Sequence, residues 1–348
     1  MIERIKMKIE IICRDGSPLG VHLDDVLGKE HRIGVGGAEL ALLTMCEAWH
    51  KSGHQVFLYN NPLRDGSPFK QRPMTEFNPD EDRDILIIFR SPNWKALTSK
   101  GKKIWWSCDQ MTIDDFAKFS KVPDKIVTIS PYHARFFRDV YGIENTVSID
   151  LPVRSWEYTE KVDKIPGRCI FCSIPDRGIL QLNAIWPRIT EKVPEASLVI
   201  TSDWRLWTEW AHEDMIMHYK VAFARHQNVS YLGAIRRAQL VELQMQSDIM
   251  LYPCIYEELF CISAAECQIA GAYPITPDRG ALETTNMGGV IPGNPLDVHW
   301  QDECVRTVVR LLTNRDELDE KRKALQEKAH KRFDIEEILK QWENVFSG

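Results

Sequence analysis

Glu258 and Glu266 stand with seven residues between them in the stretch Tyr-Pro-Cys-Ile-Tyr-Glu-Glu-Leu-Phe-Cys-Ile-Ser-Ala-Ala-Glu-Cys-Gln-Ile-Ala-Gly, residues 252–271. Carboxylates are strong acceptors, so such a pair suits a ligand rich in hydroxyl groups. The small-residue run 263–270, with Gly271 after it, reads as a short helix ended by a glycine. Glu258 then lies in the loop entering that helix and Glu266 within it. The N–H groups at Phe260, Cys261, Ile262 and Ser263 fall at the helix start, where free donors and the helix dipole favour an anion such as a phosphate.

Three further stretches carry groups of the same kind. Ser173-Ile-Pro-Asp-Arg177-Gly178 follows an apolar run and precedes a helical pattern with Leu180, Leu182 and Trp186. An arginine at a strand-to-helix junction can neutralise a diphosphate bidentately; the alternative is an exposed turn arginine beside a structural glycine. Gly34-Val-Gly36-Gly37-Ala38-Glu39 opens another helical pattern, and Gly36 and Gly37 would let main chain approach a ligand closely. Trp105-Trp-Ser-Cys108-Asp109-Gln110 follows a strand pattern. Asp109 either contacts a ligand or caps a helix.

Short apolar runs separated by helical stretches must position these groups, which is the pattern of parallel strands joined by crossover helices. Strands are expected at 9–13, 55–59, 85–89, 103–107, 126–129 and 146–149, then at 169–173, 197–201, 229–232, 249–252, 273–276 and 290–292. The polar, aperiodic segment 152–166, bracketed by prolines, reads as a connection between domains 1–151 and 167–330, with a last helix in 331–348 that packs back on the first domain. A chain of 348 residues exceeds one ordinary core. Its net charge of −6 and lack of a basic block disfavour capture of nucleic acid. The first ten residues alternate charged and apolar types and no run reaches a membrane span, so a cytoplasmic location is expected. Nine scattered cysteines suit reduced thiols.

These stretches together resemble the retaining glycosyltransferases of family GT4, whose signature is two glutamates with seven residues between them. The resemblance implies an α/β protein of the GT-B fold: two Rossmann-like domains with parallel sheets facing a central cleft, and C-terminal helices. It assigns Glu258 to a donor sugar, Glu266 to the nucleotide ribose, Arg177 to the diphosphate with Ser173 and Gly178 beside it, and the Gly36-Gly37 loop to the donor phosphate and acceptor side. Phe260 matches the family's aromatic residue. Three positions depart: Cys261 stands where glycine is usual, Phe171 where many members have a second basic residue, and Cys108 where a histidine often precedes Asp109.

The implied reaction takes a sugar from a nucleotide-diphosphate sugar to an acceptor with retention of configuration. No cofactor beyond that donor substrate and no metal are expected. The alternatives are a silent nucleotide-sugar or glycan-binding relative, or a double-Rossmann epimerase. An NAD site is disfavoured, because G-x-G-x-x-G is incomplete and Tyr59-Asn-Asn lacks the strand-end acid. Cys169 and Cys172 read as a buried strand in place of a zinc site, and His54, His133 and His226 as packing neighbours. The acidic run 80–84 reads as a solvated face, and Trp204, Trp207 and Trp210 either stack on a base or cover a helix.

Overall fold

In the computed structural model, residues 6–13, 20–27, 34–62, 68–206 and 213–348 are described, with main chain only at 213–216. Trp207 and Trp210 lie outside the described residues. The apolar runs form two separate all-parallel sheets. In the first, β1 (Lys8–Cys13), β2 (Gln55–Tyr59), β3 (Lys70–Arg72), β4 (Ile85–Phe89), β5 (Lys102–Trp106), β6 (Lys125–Thr128) and β7 (Thr146–Ser148) stand in the order β3-β2-β1-β4-β5-β6-β7. All five residues of β4 are buried, as expected of a strand covered on both faces. The helices of this half are α1 (Leu23–Val26), α2 (Gly37–Lys51), α3 (Phe116–Phe119) and α4 (Pro131–Tyr141).

The second sheet has β8 (Arg168–Phe171), β9 (Ser197–Ile200), β10 (Val229–Tyr231), β11 (Ile249–Leu251), β12 (Tyr273–Pro277) and β13 (Gly289–Ile291) in the order β10-β9-β8-β11-β12-β13. Its helices are α5 (Ile179–Thr190), α6 (Glu213–Ala224), α7 (Arg237–Gln246), α8 (Ile262–Ile269), α9 (Leu282–Thr285), α10 (Val298–Thr313) and α11 (Arg315–Arg332). Strand order reverses between β1 and β4 in one sheet and between β8 and β11 in the other. Loops leaving the carboxyl ends of strands diverge at such a reversal and leave a crevice for a ligand.

The described residues divide into two compact units, one built from residues up to Pro152 together with Ile335–Gly348, the other from Val153–Asp334 with Gly34, Val35 and Gly36. The segment read as a connection is part of the second unit's packing: Tyr158 is buried and donates to Gln244 Oε1 at 2.7 Å, and Lys164 Nζ donates to the Ser247 and Ala270 carbonyls at 2.8 and 3.0 Å. The last helix, α12 (Ile335–Ser347), belongs to the first unit. Its Trp342 meets Trp49 and Trp106 edge-on with centroids 5.3 and 5.1 Å apart.

Two features escape the hydrophobic pattern. Strand β3 is Lys-Gln-Arg at the sheet edge, where charge protects an open edge and no apolar alternation exists to be read. The run 80–84 is not wholly solvated: the Arg83 side chain is fully buried, with Nε 2.6 Å from the equally buried Glu10 Oε2 on β1. Asp82 does face solvent and pairs with Lys100.

The Trp49–Trp106–Trp342 cluster makes α12 part of the first unit's core. Trp342→Ala is expected to destabilise that unit by about 3–5 kcal/mol, the usual cost of deleting a buried large aromatic. Urea unfolding followed by tryptophan fluorescence measures it, and an unshifted first-unit transition would separate α12 from that core.

Candidate functional site

The order reversal of the second sheet brings together the loops after β8 and β11. The chain leaves β8, makes a single turn over Pro175–Arg177, and enters α5 through Gly178 at φ +104°. A β-carbon there would lie 1.9 Å from the Pro253 carbonyl oxygen, so only glycine permits the two loops to touch. Ser173 Oγ and the Tyr252 hydroxyl are 3.2 Å apart across the same junction.

Arg177 and Glu258 meet at this contact. Arg177 Nε lies 3.2 Å from Glu258 Oε1, Nη1 lies 2.6 Å from Asp176 Oδ2, and the guanidinium carbon sits 3.6 Å from the centroid of the Tyr256 ring. Tyr252 donates its hydroxyl to the same Glu258 Oε1 at 2.7 Å. Contacts converge on Oε1, and among the described residues none is made to Oε2. The main chain of Glu258 is anchored from the other side by Ala281 N–H, 2.6 Å from its carbonyl, next to Gly280 at φ +59°. Burial pushes the Cys254 and Cys261 thiols up, so neither is a thiolate near neutral pH.

Helix α8 begins one residue before the expected position. Cys261 is its N-cap at φ +71°, a left-handed conformation that explains why glycine suits this position. Ala264 and Ala265 both donate to the Cys261 carbonyl, so the N–H groups of Ile262 and Ser263 precede the helix's own hydrogen-bond ladder. Phe260 contributes packing and not a ligand-facing ring: it is 1% exposed and meets Phe333 edge-on at 6.0 Å.

Glu266 is buried within α8 and held by residues the sequence pattern did not single out. Arg237 Nη1 lies 2.7 Å from Glu266 Oε1, and Gln244 Nε2 donates to Oε2 at 3.4 Å. Arg237 also pairs with Glu157 at 2.7 Å and donates to the Tyr158 hydroxyl at 3.2 Å. The signal for this cluster was the second-unit packing of 153–158, invisible in a segment without period. Phe171 is fully buried in the core, with its ring centroid 5.7 Å from that of Tyr252.

Gly36 precedes α2 and Gly37 is its first residue. Asp109, in the first unit, does not cap a helix: α3 is capped by Asp115, while Asp109 is in a two-bond contact with Arg90. Cys169 and Cys172 are buried in and beside β8, and among the described residues no group of three metal-ligand side chains occurs.

Burial is the main influence on the Glu258 carboxyl and raises it above the ordinary carboxylate range, while Arg177 and the Tyr252 hydroxyl hold it down. A carboxyl with a higher pKa folded than unfolded contributes stability that is full at low pH and lost as pH rises through the folded value. Glu258→Gln removes that loss. Relative to the parent, the variant should gain stability from about pH 4 upward, through the raised value, and then level off. Urea midpoints at a series of pH values check this, and a difference that stayed flat or shrank would place Glu258 at or below its ordinary range.

A family model described as Glycosyl transferases group 1 matches residues 174–332. Among solved structures, a glycosyltransferase from Rickettsia africae is similar with TM-score 0.72 and 14% identity, covering 98% of each chain. Anabaena HepE, solved with UDP-glucose, is similar with TM-score 0.69 and 15% identity, covering 98% of this chain and 100% of that one. S. aureus TarM is similar with TM-score 0.60 and 14% identity over 76% of this chain, which spans 55% of the length of TarM. No curated protein matches in sequence. No described helix is long and apolar enough to cross a membrane. Residues 174–332, the greater part of the second unit, are thus similar to the glycosyl transferases group 1 family, and the chain has the GT-B fold of two Rossmann-like domains.

Proposed function

We propose that this chain transfers a sugar from a nucleotide-diphosphate sugar to an acceptor with retention of anomeric configuration and without a bound divalent metal. The observation that carries the reading is the Arg177–Glu258 pair at the order reversal of the second sheet, with Glu258 Oε2 left to a ligand. Arg177 and the N–H groups of Ile262 and Ser263 supply what a leaving diphosphate needs: a fixed cation and preorganised donors. Glu258 takes the sugar, its carboxyl oxygen opposing the positive charge that develops on the ring. Retention follows if the acceptor attacks the face from which the nucleotide departs. Glu266 is assigned to the nucleotide ribose, in exchange for part of its contact with Arg237 and Gln244. Gly36 and Gly37 are assigned to the phosphate and acceptor side, and Asp109 to the acceptor. The UDP-glucose bound by Anabaena HepE makes it the first donor to offer.

Glu258→Gln keeps the shape of the side chain and removes its charge. Turnover should fall about 100-fold, equivalent to about 3 kcal/mol, a magnitude typical of one preorganised electrostatic group. Affinity for the nucleotide diphosphate, read by calorimetry, should stay within about threefold in this variant, which is under 1 kcal/mol. Glu266→Gln should weaken that affinity about tenfold or more, the scale of one charged hydrogen bond. Normal turnover in Glu258→Gln would remove the sugar contact, and lost nucleotide affinity in a folded Glu258→Gln protein would move that residue to the nucleotide.

Metal independence has its own measurement. Because Arg177 and main-chain donors are assigned to the diphosphate, a chelator should leave the rate with the best donor unchanged. Loss of activity on chelation, restored by manganese or magnesium, would assign that charge to an ion.

A further inference from the structure

The first sheet carries a constellation at its own order reversal. Arg90 directly follows β4, the strand beside β1, and has φ +62°. A residue with a β-carbon pays about 1–2 kcal/mol to sit in the left-handed region. It persists there where its surroundings over-determine it, and such positions cluster at functional sites. Both main-chain groups of Arg90 are tied to β5: its N–H donates to the Trp106 carbonyl at 2.9 Å, and its carbonyl accepts from Trp105 Nε1 at 2.8 Å.

This conformation aims the guanidinium between two acids from neighbouring elements. Nε and Nη2 donate to Asp109 Oδ2 and Oδ1 at 2.6 and 3.0 Å, and Nη1 donates to Glu39 Oε1, in the first turn of α2, at 3.3 Å. The loop bearing Asp109 is fixed in turn, with Ser107 N–H bonded to the Val127 carbonyl at 3.0 Å and the Tyr141 hydroxyl bonded to the Gln110 carbonyl at 2.7 Å. Asp109 is the most accessible of the three side chains, 26% exposed against 16% for Arg90 and 14% for Glu39. Arg90 takes one lone pair on each Asp109 oxygen, and each oxygen has another.

We infer that Arg90 is a positioning residue, which holds the Asp109 carboxylate as an oriented acceptor for a hydroxyl of the substrate that receives the sugar. The substrate class is a polyol or saccharide, since a carboxylate clamped on one edge presents the other to hydroxyl donors. Arginine is specific to the task because its rigid fork engages both oxygens at once, which an ammonium cannot do. This inference rests on the glycosyltransferase reading.

The test uses glycerol as the probe acceptor in competition with water. The parent, Arg90→Lys, Arg90→Gln and Asp109→Asn are each given the nucleotide sugar that the parent turns over fastest, and the ratio of glycosylglycerol to free sugar is measured. Arg90→Gln and Asp109→Asn should lower the ratio about tenfold, and Arg90→Lys should restore part of it, to within about threefold of the parent, the scale of a charge-assisted contact kept or lost. A purely structural clamp would reduce the amount of active protein, lowering both products together. An unchanged ratio across the four proteins, zero included, would overturn the role of Arg90 while leaving the donor chemistry intact. A folded parent that turns over no nucleotide sugar overturns the glycosyltransferase reading and this inference with it.

Discussion

The close approach of main chain at Gly178 and Pro253 is the constraint on which the Arg177–Glu258 pair of the second unit depends. Parallel strands need crossover connections, so β8 and β11 are neighbours in the sheet while 77 residues separate Phe171 from Ile249 in the chain. Their exit loops can touch only if one lacks a β-carbon at the contact, and Gly178 meets that need. Once the loops touch, Arg177 from one reaches Glu258 from the other, and Tyr252 and Ser173 join across the seam. The cation and the carboxylate therefore restrain each other before a ligand arrives, which is the preorganisation that the proposed electrostatic role requires.

The same unit holds a second, more deeply buried set of charges. Arg237 is 7% exposed and bridges Glu157 and Glu266, with Tyr158 and Gln244 completing the hydrogen bonds. Removing one member of such a buried set costs about 3–5 kcal/mol, because the survivors remain desolvated. The arrangement fixes α8 against α7 and the turn over Ser155–Tyr158, and so fixes the helix whose first N–H groups point to the diphosphate assignment. It also means that Glu266 serves the fold at the same time as any ligand.

The three departures from the family pattern differ in physical meaning. Cys261 retains the left-handed backbone of the usual glycine and adds a side chain that is buried, so the main chain keeps its course at the cost of some strain. Phe171 is a core residue stacked near Tyr252, and a cation there would have to leave the core. Cys108 sits beside an Asp109 whose partner is Arg90, so the first unit holds this carboxylate with a guanidinium.

Much of this was legible in the sequence because it depends on local pattern. Apolar runs mark buried parallel strands, Gly271 ends α8, and glycine beside Arg177 marks a tight turn; each follows from side-chain sterics and burial along a few consecutive residues. The spacing of Glu258 and Glu266 likewise placed one in a loop and one in a helix. What the sequence could not contain were partners far apart in the chain. That Glu266 is enclosed by Arg237 and Gln244, that Arg83 belongs to the core with Glu10, that Asp109 answers to Arg90 and not to a helix end, and that 153–158 packs as part of the second unit were decided by tertiary structure alone. An ion pair or a buried hydrogen bond between distant residues leaves no periodicity, since its energy comes from desolvation and geometry that exist only after the sheets have formed.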